Sequence, residues 1–81
     1  MREQTVQAYR NILAILESVG AGPEHVVRLG ILVRADASLE EGLAASDEAW
    51  GDRPTAITIA RVAGLARPEA LVEIEATAVL P

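Results

Sequence analysis

The sequence predicts an α+β protein, a two-layer sandwich with the element order α-β-α-β-β. Three observations predict it: an amphipathic stripe of helical period near the start, a β-branched run of period two in the middle, and a regular alternation near the end. From Glu3 to Val19, apolar residues fall at Val6, Tyr9, Ile12, Leu13, Leu16 and Val19, with Gln4, Gln7, Arg10 and Glu17 between them. That spacing lays an apolar stripe along one face of a helix. Gly20, Gly22 and Pro23 end it. From His25 to Arg34 the chain is β-branched, and Val27, Leu29, Ile31 and Val33 share one parity, which predicts a strand with that face buried. Its other face carries Arg28, Gly30, Leu32 and Arg34, a mixture suited to a subunit contact or a cleft.

Ser38-Leu39-Glu40-Glu41 reads as a capping box, with the Ser hydroxyl placed for the N3 amide and Glu41 reaching back. It predicts a second helix from Leu39 to Trp50, with Leu39, Leu43 and Trp50 as its inner stripe. After Gly51-Asp52-Arg53-Pro54, a strand is expected over Ala56 to Val62. A turn region with Gly64, Arg67 and Pro68 then leads into a last strand from Leu71 to Val79. In that strand Val72, Ile74, Ala76 and Ala78 face the helices, while Leu71, Glu73, Glu75, Thr77 and Val79 face away. A right-handed crossover through the second helix sets the first two strands parallel, and the short Gly64 to Ala70 connection predicts an antiparallel hairpin for the last two. Two helices cover one side of such a sheet. The uncovered side, apolar at Leu32 and Leu71 but charged at Arg28, Arg34, Glu73 and Glu75, predicts partner subunits.

Composition narrows the chemistry. The 81 residues form a single domain, 1–81, whose core must be built from Ala, Val, Ile and Leu, because there is no Phe and only one Trp and one Tyr. The absence of cysteine excludes disulfides, thiolate catalysis and Cys-ligated zinc, and one histidine leaves almost nothing for a transition-metal site. No metal and no cofactor are expected. Seven arginines stand against twelve acidic residues, a net charge of −5 with no basic cluster, which disfavours nucleic acid as a partner. No apolar run approaches the roughly 20 residues that span a bilayer, and Met1-Arg2-Glu3-Gln4 opens onto an amphipathic pattern, not a signal peptide. A cytoplasmic protein without a membrane partner is the expectation. Gly20-Ala21-Gly22 follows a helix where a phosphate loop would open one. His25, with no nucleophile or second ligand near it in sequence, reads as a polar residue at the start of a strand.

The stretch Val62-Ala63-Gly64-Leu65-Ala66-Arg67-Pro68-Glu69-Ala70-Leu71-Val72-Glu73-Ile74-Glu75-Ala76 resembles the C-terminal signature of the reactive-intermediate deaminase (Rid or YjgF) superfamily. The first helix, the Gly-rich loop and Val26-Val27-Arg28-Leu29 resemble that family in the same order. The resemblance covers nearly the whole chain. It implies a chorismate-mutase-like α+β fold and a homotrimer with clefts between subunits. It also implies hydrolysis of 2-imino acids to 2-oxo acids and ammonia without a cofactor, as in 2-iminobutanoate/2-iminopropanoate deaminases. The chain starts at the family's first helix, so the usual N-terminal β-hairpin is not in it, as in a truncated chain or a reduced member.

Carried over by position, the family's water-holding glutamate is Glu73. An exposed strand carboxylate pairing with Arg28 or Arg34 is the competing reading, with Glu75 on the same face. The family's carboxylate-binding arginine has no counterpart. Counting from Pro54 puts Ala56 at its place, and counting back from Val62-Ala63 puts Ile57 there. Its loss should weaken recognition about ten- to a hundredfold per charge-assisted hydrogen bond. Thr58, Arg61 and Arg67 are the expected substrate-binding residues, Arg61 as replacement clamp and Arg67 at the cleft mouth. An Asn common on the second helix falls on Leu43 or Ala44. The alternative to an imine hydrolase is therefore a non-catalytic trimeric binding or structural module that kept the fold and lost the arginine.

Overall fold

In the computed structural model, which describes residues 1–80, α1 spans Arg2–Ser18, β1 Val26–Arg34, α2 Leu39–Trp50, β2 Ala56–Val62 and β3 Val72–Ala78. A single 3-10 turn at Pro23–His25 leads into β1. Helix α1 buries Thr5, Tyr9, Ile12 and Leu16, one face at helical spacing. It ends at Gly20, whose φ of 72° turns the chain back. The Gly20 amide donates to Glu17 O at 3.1 Å and the Ala21 amide to Leu16 O at 2.9 Å, which satisfies two of the helix's last carbonyls. This reversal carries the chain off the core before Val19 can join the stripe. Val19 is 58% exposed, a correction to the periodic reading.

Ser38 caps α2 as predicted, its hydroxyl accepting from the Glu41 amide at 3.1 Å. The Glu41 carboxylate does not return to Ser38. It accepts from the Arg2 amide at 2.8 Å and lies 3.6 Å from the N-terminal ammonium, so it caps the start of α1 across the helix pair. The unsatisfied N–H groups and positive dipole end of α1 explain that choice. The inner stripe of α2 is Gly42, Ala45 and Trp50. Leu43, expected inside, is 43% exposed. Small residues face inward because the two helix starts approach closely: a Cβ on Gly42 would come within 2.7 Å of Met1 Cε.

The sheet order is β2-β1-β3. β1 and β2 are parallel, as the helical crossover requires. The expected hairpin does not form; β3 pairs antiparallel with the far side of β1. The apolar β1 thereby gains a neighbour on each edge, and the 63–71 connection needs to cross only about 10 Å, two strand spacings. That connection is pinned at both ends. Leu71 O accepts from the Arg34 amide at 2.8 Å and Val62 O from the Ala35 amide at 2.8 Å. The Gln4 side chain accepts from the Leu71 amide at 2.8 Å and donates to Glu69 O at 3.0 Å. A bulge between Val26 and Arg28 shifts the β1–β3 register by one residue. It resets the alternation, so that Val26 is buried and Val27, expected inside, is 48% exposed.

Both helices pack on one face of the sheet. Tyr9 and Trp50 stack there with ring centroids 5.6 Å apart, above the fully buried Leu29. Side chains of this size contribute about 1.5–3 kcal/mol each when fully buried. Trp50 is core, as expected, with its indole N–H donating to Thr55 Oγ1 at 3.1 Å. A second cluster, Ile31, Val33 and Val72, continues the core toward Met1 and Leu39. The opposite face of the sheet carries no helix. Among the described residues, no helix is long and apolar enough to cross a membrane.

Candidate functional site

Beyond the bulge, strand alternation sends the even residues of β1 from Arg28 on, the even residues of β2 and the odd residues of β3 to the uncovered face. There Arg28, Gly30, Thr58, Glu73 and Glu75 bound a hollow of about 100 Å³, with Leu32 in its floor. The register explains the grouping: Gly30 lies between Thr58 on one neighbour and Glu75 on the other, and Leu32 lies opposite Glu73. Glu73 is exposed and, among the described residues, makes no ion pair. Arg28 pairs with Glu75, not Glu73, at 3.5 Å. Arg34 donates from Nε to Asp36 at 2.6 Å and from Nη1 to Pro68 O at 2.6 Å. The Arg34 hydrogen bond holds the Asp36 carboxyl below its ordinary value. Neither arginine considered as a partner for Glu73 is therefore paired with it.

Of the four residues selected from sequence, the fold brings Glu73 and Thr58 to one hollow. Arg61 has the opposite parity to Thr58 and lies on the helix side of the sheet, where Nη1 donates to Ala35 O at 2.9 Å. Ile57 shares that side. Ala56, directly across from Arg28, is on the Glu73 face. Arg67 stands in a separate shallow bowl at the end of β1, with Arg34, Asp36 and Pro68. A smaller apolar cleft between the helices and the sheet has Tyr9, Leu43 and Ile59 in its wall and no charged side chain. Leu43, one of two positions expected for the helix Asn, opens onto that cleft and not onto the hollow.

His25 is structural. Its Nδ1 accepts from the Gly22 amide at 3.0 Å, and its carbonyl accepts from the Val79 amide at 2.9 Å. Among the described residues no three His, Asp or Glu side chains converge to hold a metal ion. The hollow thus offers one guanidinium, two carboxylates and a hydroxyl on a sheet floor, a set able to orient a small polar anion and a water. Arg28 escaped the sequence reading as a site residue because its meeting with Glu75 over Gly30 depends on β3 pairing directly with β1. A glycine inside a β-branched run was the available signal.

The family model described as endoribonuclease L-PSP matches residues 1–80. No curated protein matches at a significant level. Among solved structures, the chain is similar to a member of the YjgF/YER057c/UK114 family from Mycobacterium tuberculosis, with 33% identity and a TM-score of 0.85 over 94% of this chain and 64% of that one. It is similar to a Rid-family protein from Yersinia pestis, with 35% identity and a TM-score of 0.83 over 99% of this chain and 62% of that one. A YjgF-family protein from Neisseria meningitidis matches with 32% identity and a TM-score of 0.81, over 93% and 63%. The chain spans less than two thirds of the length of each of these relatives.

Proposed function

This chain belongs to the endoribonuclease L-PSP family, the YjgF/Rid group, and from that premise we propose that it hydrolyses 2-imino acids to 2-oxo acids and ammonia in the inter-subunit clefts of a homotrimer. The observation that carries the proposal is Glu73, an unpaired carboxylate that lines the same hollow as Thr58 on the uncovered sheet face. In the proposed step Glu73 accepts a proton from a water whose oxygen bonds to the imine carbon. The imine nitrogen takes a proton from solvent as the C=N bond becomes single, giving a carbinolamine. Glu73 then passes its proton to that nitrogen, the hydroxyl proton goes to solvent as the C=O bond forms, and the C–N bond breaks to release ammonia. In this reading Thr58, which lines the same hollow, hydrogen-bonds the substrate or that water.

The word endoribonuclease in the family's description suits this surface poorly. RNA binding draws on clustered cations, and here a net charge of −5 accompanies a face on which one arginine pairs with a glutamate. A second reading has a specific observation behind it: the family arginine's place falls on Ala56 or Ile57, and neither side chain can bind a carboxylate. A trimeric binding module without turnover would fit that loss.

Ammonia release from a 2-imino acid generated in situ, with semicarbazide as competing trap, separates the two. Acceleration by the wild type, reduced about 10²–10⁴-fold in a folded Glu73→Gln variant, is the expected result. A folded wild type that leaves the rate at background selects the binding module.

A further inference from the structure

We propose that Arg28 is the anion-binding residue of this face and that the Glu75 carboxylate occupies its site until a ligand carboxylate displaces it. The inference names the cation of the hollow just described and rests on the reading that a small 2-imino or 2-oxo acid binds there.

Three features of Arg28 support it. First, its guanidinium is poorly engaged. The arginines at 2, 34, 53 and 61 each reach an oxygen within hydrogen-bond distance. Arg28, among the described residues, has only Glu75 at 3.5 Å, longer than the about 2.7–2.9 Å of a charge-assisted hydrogen bond. Second, its place is shaped for a second carboxylate. A Cβ on Gly30 would meet Glu75 Oε1 at 2.8 Å and Arg28 Nη1 at 3.2 Å, so both charged ends lie over the bare glycine backbone. Third, the place has the right separation from Glu73. Glu75 faces Gly30 and Glu73 faces Leu32, two residues or about 6.7 Å farther along β1. A carboxylate seated over Gly30 would leave the adjoining imine carbon and an attacking water on the Glu73 side. Arg28 also stands directly across from Ala56. On the count from Pro54, which puts the missing β2 arginine at Ala56, the neighbouring strand thus supplies the guanidinium.

Glu75 is more exposed than Arg28, 78% against 44% for the side chains, and it sits at the end of a flexible stem. It can swing outward at little cost. The pair therefore behaves as a preformed anion site with an internal competitor, one that keeps the site selective for ligands bearing a full negative charge.

The test measures 2-oxobutanoate binding to the full chain by calorimetry, with the neutral 2-oxobutanamide as control, alongside ammonia release from the matching imine. Arg28→Gln should raise the Kd for 2-oxobutanoate at least about tenfold, with partial recovery in Arg28→Lys, and leave the amide unaffected. Glu75→Gln should tighten 2-oxobutanoate about two- to fivefold by removing the competitor. Equal binding by wild type and Arg28→Gln, no tightening in Glu75→Gln, or no binding by the wild type overturns the assignment. Arg28-dependent binding without ammonia release overturns only the hydrolytic reading. Ammonia release undiminished in Arg28→Gln overturns only the role of Arg28. Circular dichroism confirms that each variant is folded.

Discussion

Gly30 shows how one missing side chain organises a face. It sits centrally in β1, where a glycine weakens a strand by about 0.5–1 kcal/mol relative to alanine. Its backbone is extended, so the conformation would tolerate a larger residue. What a side chain would disturb is the charged pair above it, with Glu75 Cγ at 2.9 Å from the added Cβ. These are atoms of two long, exposed side chains, which can move aside by changing rotamer. Gly30→Ala should therefore unfold in denaturant within about 1 kcal/mol of the wild type, while 2-oxobutanoate binding weakens because the floor of the hollow is filled. A large loss of stability would show that Gly30 serves the fold instead.

The helices are joined at their starts. Glu41, in the first turn of α2, accepts from the first amide of α1, and this bond, with help from the N-terminal charge, holds its carboxyl below the ordinary value of 4.5. A carboxylate depressed by folding stabilises the folded state in full above its unfolded value. That stabilisation is lost as pH falls through the lower folded value. Glu41→Gln should thus lower the thermal midpoint near pH 6, and the gap to wild type should narrow as the pH falls below 4.5 through the lower folded value. A gap that persisted into acid would mean that Glu41 acts through packing rather than charge. The serine of the capping box was legible from its spacing. The destination of the glutamate was not, because a donor-rich helix end across the domain outcompeted the local amide.

As a whole molecule, the chain leaves much of its sheet uncovered. β2 is exposed over nearly its full length, including Ile57 and Ile59, and its outer edge has no strand beside it among the described residues. Edges of this kind are ordinarily covered. Association into the proposed homotrimer would cover such surface, and a native mass near three times 8.6 kDa is expected by light scattering. A mass equal to one subunit would remove the inter-subunit cleft from the proposed function. The sequence by itself determined the elements, with α2 and β2 at their expected bounds and the others within one or two residues, the parallel crossover, and the family. Each of those is written in local signals: a cap, a period, a glycine after a helix, a contiguous motif. Tertiary structure alone decided that β3 lies against β1, that Val26 and not Val27 enters the core, that α2 buries Gly42 and leaves Leu43 partly exposed at the cleft, and that Arg28 meets Glu75 over Gly30. These outcomes depend on which distant partner wins among alternatives of similar local energy. Such a contest is settled by burying β1 from both edges and by the closest approach of the two helices.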